Sequence, residues 1–230
     1  MSGYNRAYQK TLEILPQLVV KTVTDVRDTE EMEKAIKSVL STKQYGYEDL
    51  LSKLVVSGCQ TTLPAMTKNP NLNIDSVRIA KLRGGNVTQS SVVKGIVCLR
   101  GTEGKVEKVE NAKVAVFGCG LEASALEAKG TVLLKNAEEL LNYNKSEEKK
   151  MEEIIKGIAD CGATVVIANG VITEMALHFL DKYNIMIIKI TSKFELRRIC
   201  GSVGATASVA LGPVSPEELG ECSLVEVREI

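Results

Sequence analysis

The chain has 230 residues, with 29 lysines and arginines against 29 aspartates and glutamates, so no net charge steers it to nucleic acid or an anionic membrane. Its six cysteines lie far apart without a C-x-x-C pair, and with a single histidine the ligand spacings of a zinc site are missing. A hydrophobic fraction of 44%, with neither an apolar run of membrane-spanning length nor a signal-peptide pattern, leads to the expectation of a globular, thiol-reduced, cytoplasmic protein.

The first 60 residues read as helical. Tyr4 to Val20 is periodic through Ala7, Leu12, Leu15, Leu18 and Val19, with Pro16 stopping or kinking it. Asp28 and Glu31 form a capping box ahead of Met32, Ile36, Val39 and Leu40, and Tyr47 to Cys59 carries Leu50, Leu51, Leu54 and Val55 on one face. Between Gln60 and Asn73 the composition turns to Pro, Asn and Thr, a boundary signal. The period then becomes two, which predicts strands over Ile74 to Leu82, Val92 to Leu99 and Val114 to Phe117.

Residues 118–145 are harder to read. Asn136 with Glu139 could cap a short helix, while Leu121, Leu126, Val132, Leu133 and Leu134 show no partner pattern. Glu147 to Cys161 is a clear amphipathic helix with Met151, Ile154, Ile155 and Ile158 inward. Cys161 to Ala205 alternates strand, helix, strand, helix. Ala163 to Ala168 is a β-branched run, Ile172 to Tyr183 has helical period, Ile185 to Ile190 returns to strand, and Ser192 with Glu195 caps a helix from Phe194 to Cys200 that Gly201 and Gly204 end. This alternation predicts a parallel sheet with helical crossovers, and the final Leu224 to Val227 looks like one more strand.

The chemistry motifs are sparse. Gly118-x-Gly120 follows a strand but lacks the third glycine and the acidic residue of a dinucleotide fingerprint, and Arg83-Gly84-Gly85 reads as a turn because no GKS or GKT follows. His178, on a helix with polar neighbours, reads as a surface residue, and Glu138-Glu139 and Glu147-Glu148 as solvated helix starts. The residues therefore favour a binding module without an active site. A stand-alone α/β protein-binding module is the alternative to the reading below, and a small nucleotide- or phosphate-using enzyme comes third.

Residues 162–205 resemble the apical domain of group II chaperonin subunits, those of the cytosolic TCP-1 ring complex and its archaeal relatives. That family reads GANVV, a helix with A-x-H-Y, then GI, a basic DL-x-RI helix and GA. Here Phe179 replaces the tyrosine, Asn184-Ile185 stands for GI, and Glu195-Leu196-Arg197-Arg198-Ile199 for the basic helix. Val92 to Val97 is similar to the family's LVKGVV, and Ala112 to Ala115 to its DAKIA. Residues 41–46, 129–133, 137–140 and 175–178 narrow the resemblance to one subunit type of the ring.

The resemblance implies an α/β fold: a three-layer β/β/α apical domain with a helical protrusion, plus a mainly helical part of an intermediate domain. Residues 1–60 would be that intermediate part, 61–73 a hinge, 74–206 the apical domain with its protrusion at about 121–149, and 207–230 the return to the intermediate domain. Client polypeptide would meet Thr173, Glu174, Leu177, His178, Asp181 and Lys182 on one helix, and Thr102, Glu103 and Lys105 on the loop beside it. Ile172, Met175, Ala176, Phe179 and Tyr183 would form that helix's core stripe. The family's G-D-G-T phosphate motif and catalytic aspartate have no match, so the chain is expected to be an excerpt that holds no cofactor itself and is inactive alone. ATP and magnesium would belong to the full-length protein, with Lys43 as a nucleotide-sensing residue there. The expected partners are unfolded or partly folded clients, cytoskeletal proteins among them, and other subunits of a double-ring hetero-oligomer, with neither nucleic acid nor membrane.

Overall fold

The longest strand among the described residues, β1 (Lys108–Phe117), sits in the middle of its sheet, and its end, Val114 to Phe117, is buried on both faces. The computed structural model describes residues 2–64, 70–122 and 136–229, leaving out the side chains of residues 138–144. Two compact units divide the chain, residues 1–94 and 95–230.

In the first unit, α1 (Ser2–Ile14) gives way at Pro16 to a 3-10 turn, Leu15–Leu18, as the proline predicts. Helices α2 (Thr29–Ser41) and α3 (Glu48–Thr62) pack on one another, and Ser52 and Val56 are the buried residues among those described in this unit. The Asp28 carboxylate caps α2 by accepting from the Glu30 and Glu31 N–H groups at 2.9 and 3.3 Å. Glu31 does not complete the box. Its carboxylate instead accepts from the Thr24 hydroxyl and the Thr24 and Asp25 N–H groups, which holds its pKa below the usual carboxylate value.

Two predicted strands do not form. Ile74 to Leu82 and Val92 to Leu99 contain no paired strand, and Ile79 is 84% exposed. An extended segment becomes a strand only when a neighbouring strand takes its N–H and C=O groups, and among the described residues no strand pairs with either segment, the first of which opens in a 3-10 turn, Ile74–Ser76. The turn at Arg83-Gly84-Gly85 is present, with both glycines at positive φ, 92° and 71°.

The second unit is α/β. Its five-stranded sheet has the order β3-β2-β1-β4, with β2 (Val165–Ala168), β3 (Met186–Lys189) and β4 (Ala207–Ser208) parallel to their neighbours. Beside β4 on the same edge of β1, β5 (Gly220–Glu226) runs antiparallel, Ala112 opposite Cys222. Helices α4 (Ala137–Asp160) and α5 (Glu174–Lys182) cover one face, joining Met151, Ile155, Ile158, Phe179 and Leu180 to Ala115 and Phe117. On the other face α6 (Lys193–Val203) brings Leu196 and Ile199 onto Val114, Val116, Val165 and Ile167. Cys98 and Val106 of the chain preceding β1 also pack on this second face.

Three local readings change. The two helices expected around Asn136 and Glu147 are one continuous α4, and α6 runs through Gly201 to stop at Gly204, whose φ of 72° ends it. Leu121, which lacked a partner in the sequence pattern, is fully buried and bridges Ile172. Residues 123–135 of the expected protrusion, with Leu126, Val132, Leu133 and Leu134, lie outside the described residues.

Gly118-x-Gly120 has a packing role. The Gly118 N–H donates to the Ser208 carbonyl at 2.7 Å, and a Cβ on Gly120 would lie 2.7 Å from the Val171 carbonyl oxygen. Glycine at 120 lets the chain at Val171 come this close to the end of β1.

Candidate functional site

Helix α5 is fixed at its start by Thr173, whose hydroxyl accepts from the Ala176 N–H at 3.3 Å and donates to the Leu121 carbonyl at 3.1 Å. At its end Asn184, at φ 56°, takes the left-handed position, and the Ile185 N–H donates to the Leu180 carbonyl at 2.9 Å. Asparagine tolerates this conformation well enough to stand where the family pattern has glycine.

Ala176, Phe179 and Leu180 face the core, with Ile172 and Tyr183 partly buried beside them. The expected stripe is wrong at two positions: Met175 is exposed, and Leu177 is half-buried against the core. The reason is a second partner from far along the chain. The loop at 101–105 lies against this flank of α5, where a Cβ on Gly104 would stand 3.7 Å from Leu177 Cδ1 and 2.8 Å from Asp181 Oδ1.

The structure sets the loop against the helix, the two elements that the resemblance placed side by side. The Thr102 hydroxyl and the Glu103 N–H both donate to the Ile187 carbonyl, at 2.8 and 3.1 Å, and the Lys105 N–H donates to Asp181 Oδ1 at 3.0 Å. Thr102, Thr173 and Asp181 therefore hold structure. Lys182 pairs with Glu152 of α4 at 2.6 Å and lies over the Phe179 and Tyr183 rings, 5.6 and 5.8 Å from their centroids. This hydrogen bond lowers the Glu152 pKa and raises that of Lys182.

Glu103, Lys105, Glu174, Met175 and His178 remain exposed, the histidine edge-on to Phe179 at 5.5 Å. They offer both charge signs and one soft apolar side chain. Such a surface suits hydrogen bonding and charge complementarity with a polypeptide more than burial of a hydrophobic segment. Sequence reasoning missed Met175 and Glu152. A rotation of the helix by one position could have exposed the first, whereas no local pattern marks a cross-helix pair.

Lys43 stands exposed on the turn after α2, its N–H donating to the Leu40 carbonyl at 2.9 Å. Among the described residues there is no group of three His, Cys, Asp or Glu that could hold a metal ion. No described helix is long and apolar enough to cross a membrane.

The model described as TCP-1/cpn60 chaperonin family matches residues 1–230, and the chain belongs to that family. In particular, it is 45% identical over 229 residues to T-complex protein 1 subunit theta of Caenorhabditis elegans, with 44% identity to that of Gallus gallus and 42% to that of Homo sapiens. Each alignment takes in all of this chain and 41% of the relative, so the chain spans about two fifths of the length of these proteins. The fold is also that of the open-state monomer of a group II chaperonin from Methanococcoides burtonii, with a TM-score of 0.71 at 24% identity over all of this chain and 51% of that one.

Proposed function

We propose that this chain is the client-binding segment of a theta-type group II chaperonin subunit, acting in the cytoplasm within an ATP-dependent double ring that folds proteins, cytoskeletal ones among them. The joined surface of α5 and the loop at 101–105 carries this reading, because it gathers Glu103, Lys105, Glu174, Met175 and His178 on one part of a rigid unit. Unfolded chains expose backbone and mixed charge, which these groups match.

In this reading residues 1–60 couple to nucleotide as part of an intermediate domain, 61–73 hinge, 74–206 form the apical domain with a protrusion at about 121–149, and 207–230 return. Segment 74–94 falls within the first compact unit. ATP in the complete subunit would supply the difference in free energy between open and closed states. This chain's own residues bind and orient client.

The test uses the purified chain and a fluorescent, permanently unfolded polypeptide. Replacing Glu103, Lys105 and His178 together by Ala is expected to weaken binding about tenfold, the effect of losing about 1.4 kcal/mol of contact energy. Unchanged affinity would sink the proposal.

A further inference from the structure

We infer that Asp181 and Thr102 are positioning residues: they latch the loop at 101–105 onto α5 and the rim of the sheet, and so build the client surface without touching client themselves. The inference rests on the client-binding reading above and narrows it, since two residues expected to meet client become the fasteners of those that do.

β3 is an edge strand, so its outer rim carries backbone groups that no neighbouring strand takes up. The loop covers that rim. The outward Ile187 carbonyl accepts both the Thr102 hydroxyl at 2.8 Å and the Glu103 N–H at 3.1 Å, while the Ile187 side chain is buried in the core. Thr102 Oγ1 in turn accepts from the Gly104 N–H at 3.3 Å, which tightens the turn.

The second fastener is independent of the first. Asp181 Oδ1 accepts from the Lys105 N–H at 3.0 Å, a bond to a charged acceptor on a half-buried residue. A Cβ at position 104 would stand 2.8 Å from that same oxygen and 3.4 Å from Ile187 Cγ2. A side chain at 104 would push the carboxylate off the Lys105 N–H. With the two ends pinned, the side chains of Glu103 and Lys105 project from a backbone that moves with α5, which is what preorganised binding requires.

The experiment measures hydrogen exchange at the Lys105 and Glu103 amides of the purified full chain, together with its affinity for reduced, carboxymethylated lactalbumin as an unfolded probe. Asp181→Ala is expected to speed exchange at Lys105 about tenfold, as loss of a charge-assisted bond does, and to weaken probe binding. Asp181→Asn keeps an acceptor oxygen and should restore both, which a residue acting through its charge on client would not do. Gly104→Ala, which pushes the carboxylate aside, should behave like Asp181→Ala. Unaltered exchange at Lys105 in Asp181→Ala overturns the latch, and a loosened loop with undiminished probe binding overturns the positioning role. Should the unaltered chain fail to bind the probe, the client-binding reading falls, while the exchange result still decides whether Asp181 holds the loop.

Discussion

The two compact units carry equally clean amphipathic patterns and bury very different amounts. In residues 95–230 a sheet faced on both sides takes Phe117, Leu121, Ile155, Ile158 and Leu180 fully out of water. Among the described residues of 1–94 only Val56 and Ser52 are buried, and the apolar stripe of α1 stays open, with Tyr8 64% and Leu12 48% exposed. Periodicity states which side of an element needs a cover. It does not state that a cover lies within reach. An open apolar face of this kind marks a surface for contact, whereas a closed one marks a scaffold.

Mutations should separate the units sharply. Phe117→Ala is expected to remove about 3–5 kcal/mol from the unfolding free energy of the second unit, the cost of a cavity in a closed core. Tyr8→Ala in α1 should change stability by no more than about 0.5 kcal/mol. Denaturant titrations read both, and a similar loss at the two positions would erase the distinction.

Glycine contacts give a smaller effect. At Gly220 a Cβ would lie 2.8 Å from the Val203 carbonyl oxygen and 2.9 Å from Ala205 Cβ, so Gly220→Ala should cost about 1–3 kcal/mol through displaced backbone. Gly3 has open space around it, and Gly3→Ala should be neutral or slightly stabilising to α1 by circular dichroism.

Caps act locally, so here the units should agree. Thr173→Ala and Asp28→Ala each lose a side-chain acceptor at a helix start and should cost about 1 kcal/mol apiece, visible as fraying of α5 and α2 in amide exchange. A much larger loss at Asp28 would mean that the first unit is more cooperative than its burial suggests.

The smallest effect concerns the surface pair of Lys182 and Glu152. Glu152 has its carboxyl pKa lowered on folding, so its contribution is complete above its unfolded value and fades as pH falls through the lower folded one. Lys182 is raised, so its contribution is complete below its unfolded value and fades as pH rises through the folded one. Lys182→Met should therefore flatten the acid limb of the melting temperature against pH without moving the neutral plateau much. High salt should mimic the mutation.

Where sequence neighbours decide the structure, the sequence was enough. The strand before Gly118, the β-α-β-α run from residue 163 and the caps at Asp28 and Ser192 all depend on contacts within a few residues or on a repeating period. The segments around Ile79 and Val93 had strand period and no partner strand, and pairing is a property of two segments. Likewise the site was legible as two pieces, α5 and a glycine-rich loop. Their joining by Asp181 spans 76 positions of sequence, and with it came the exchange of Met175 for Leu177 on the open face.

The most direct measurement is photocrosslinking from single positions of the chain to a bound, unfolded polypeptide. Photoreactive residues at 103 and 178 lie on the loop and on α5, and one at 197, an exposed position of α6 in the same unit, serves as a control. Crosslinks from 103 and 178 in the absence of any from 197 are the predicted result. Equal crosslinking from all three, or crosslinking from 197 alone, would contradict the placement of the client surface.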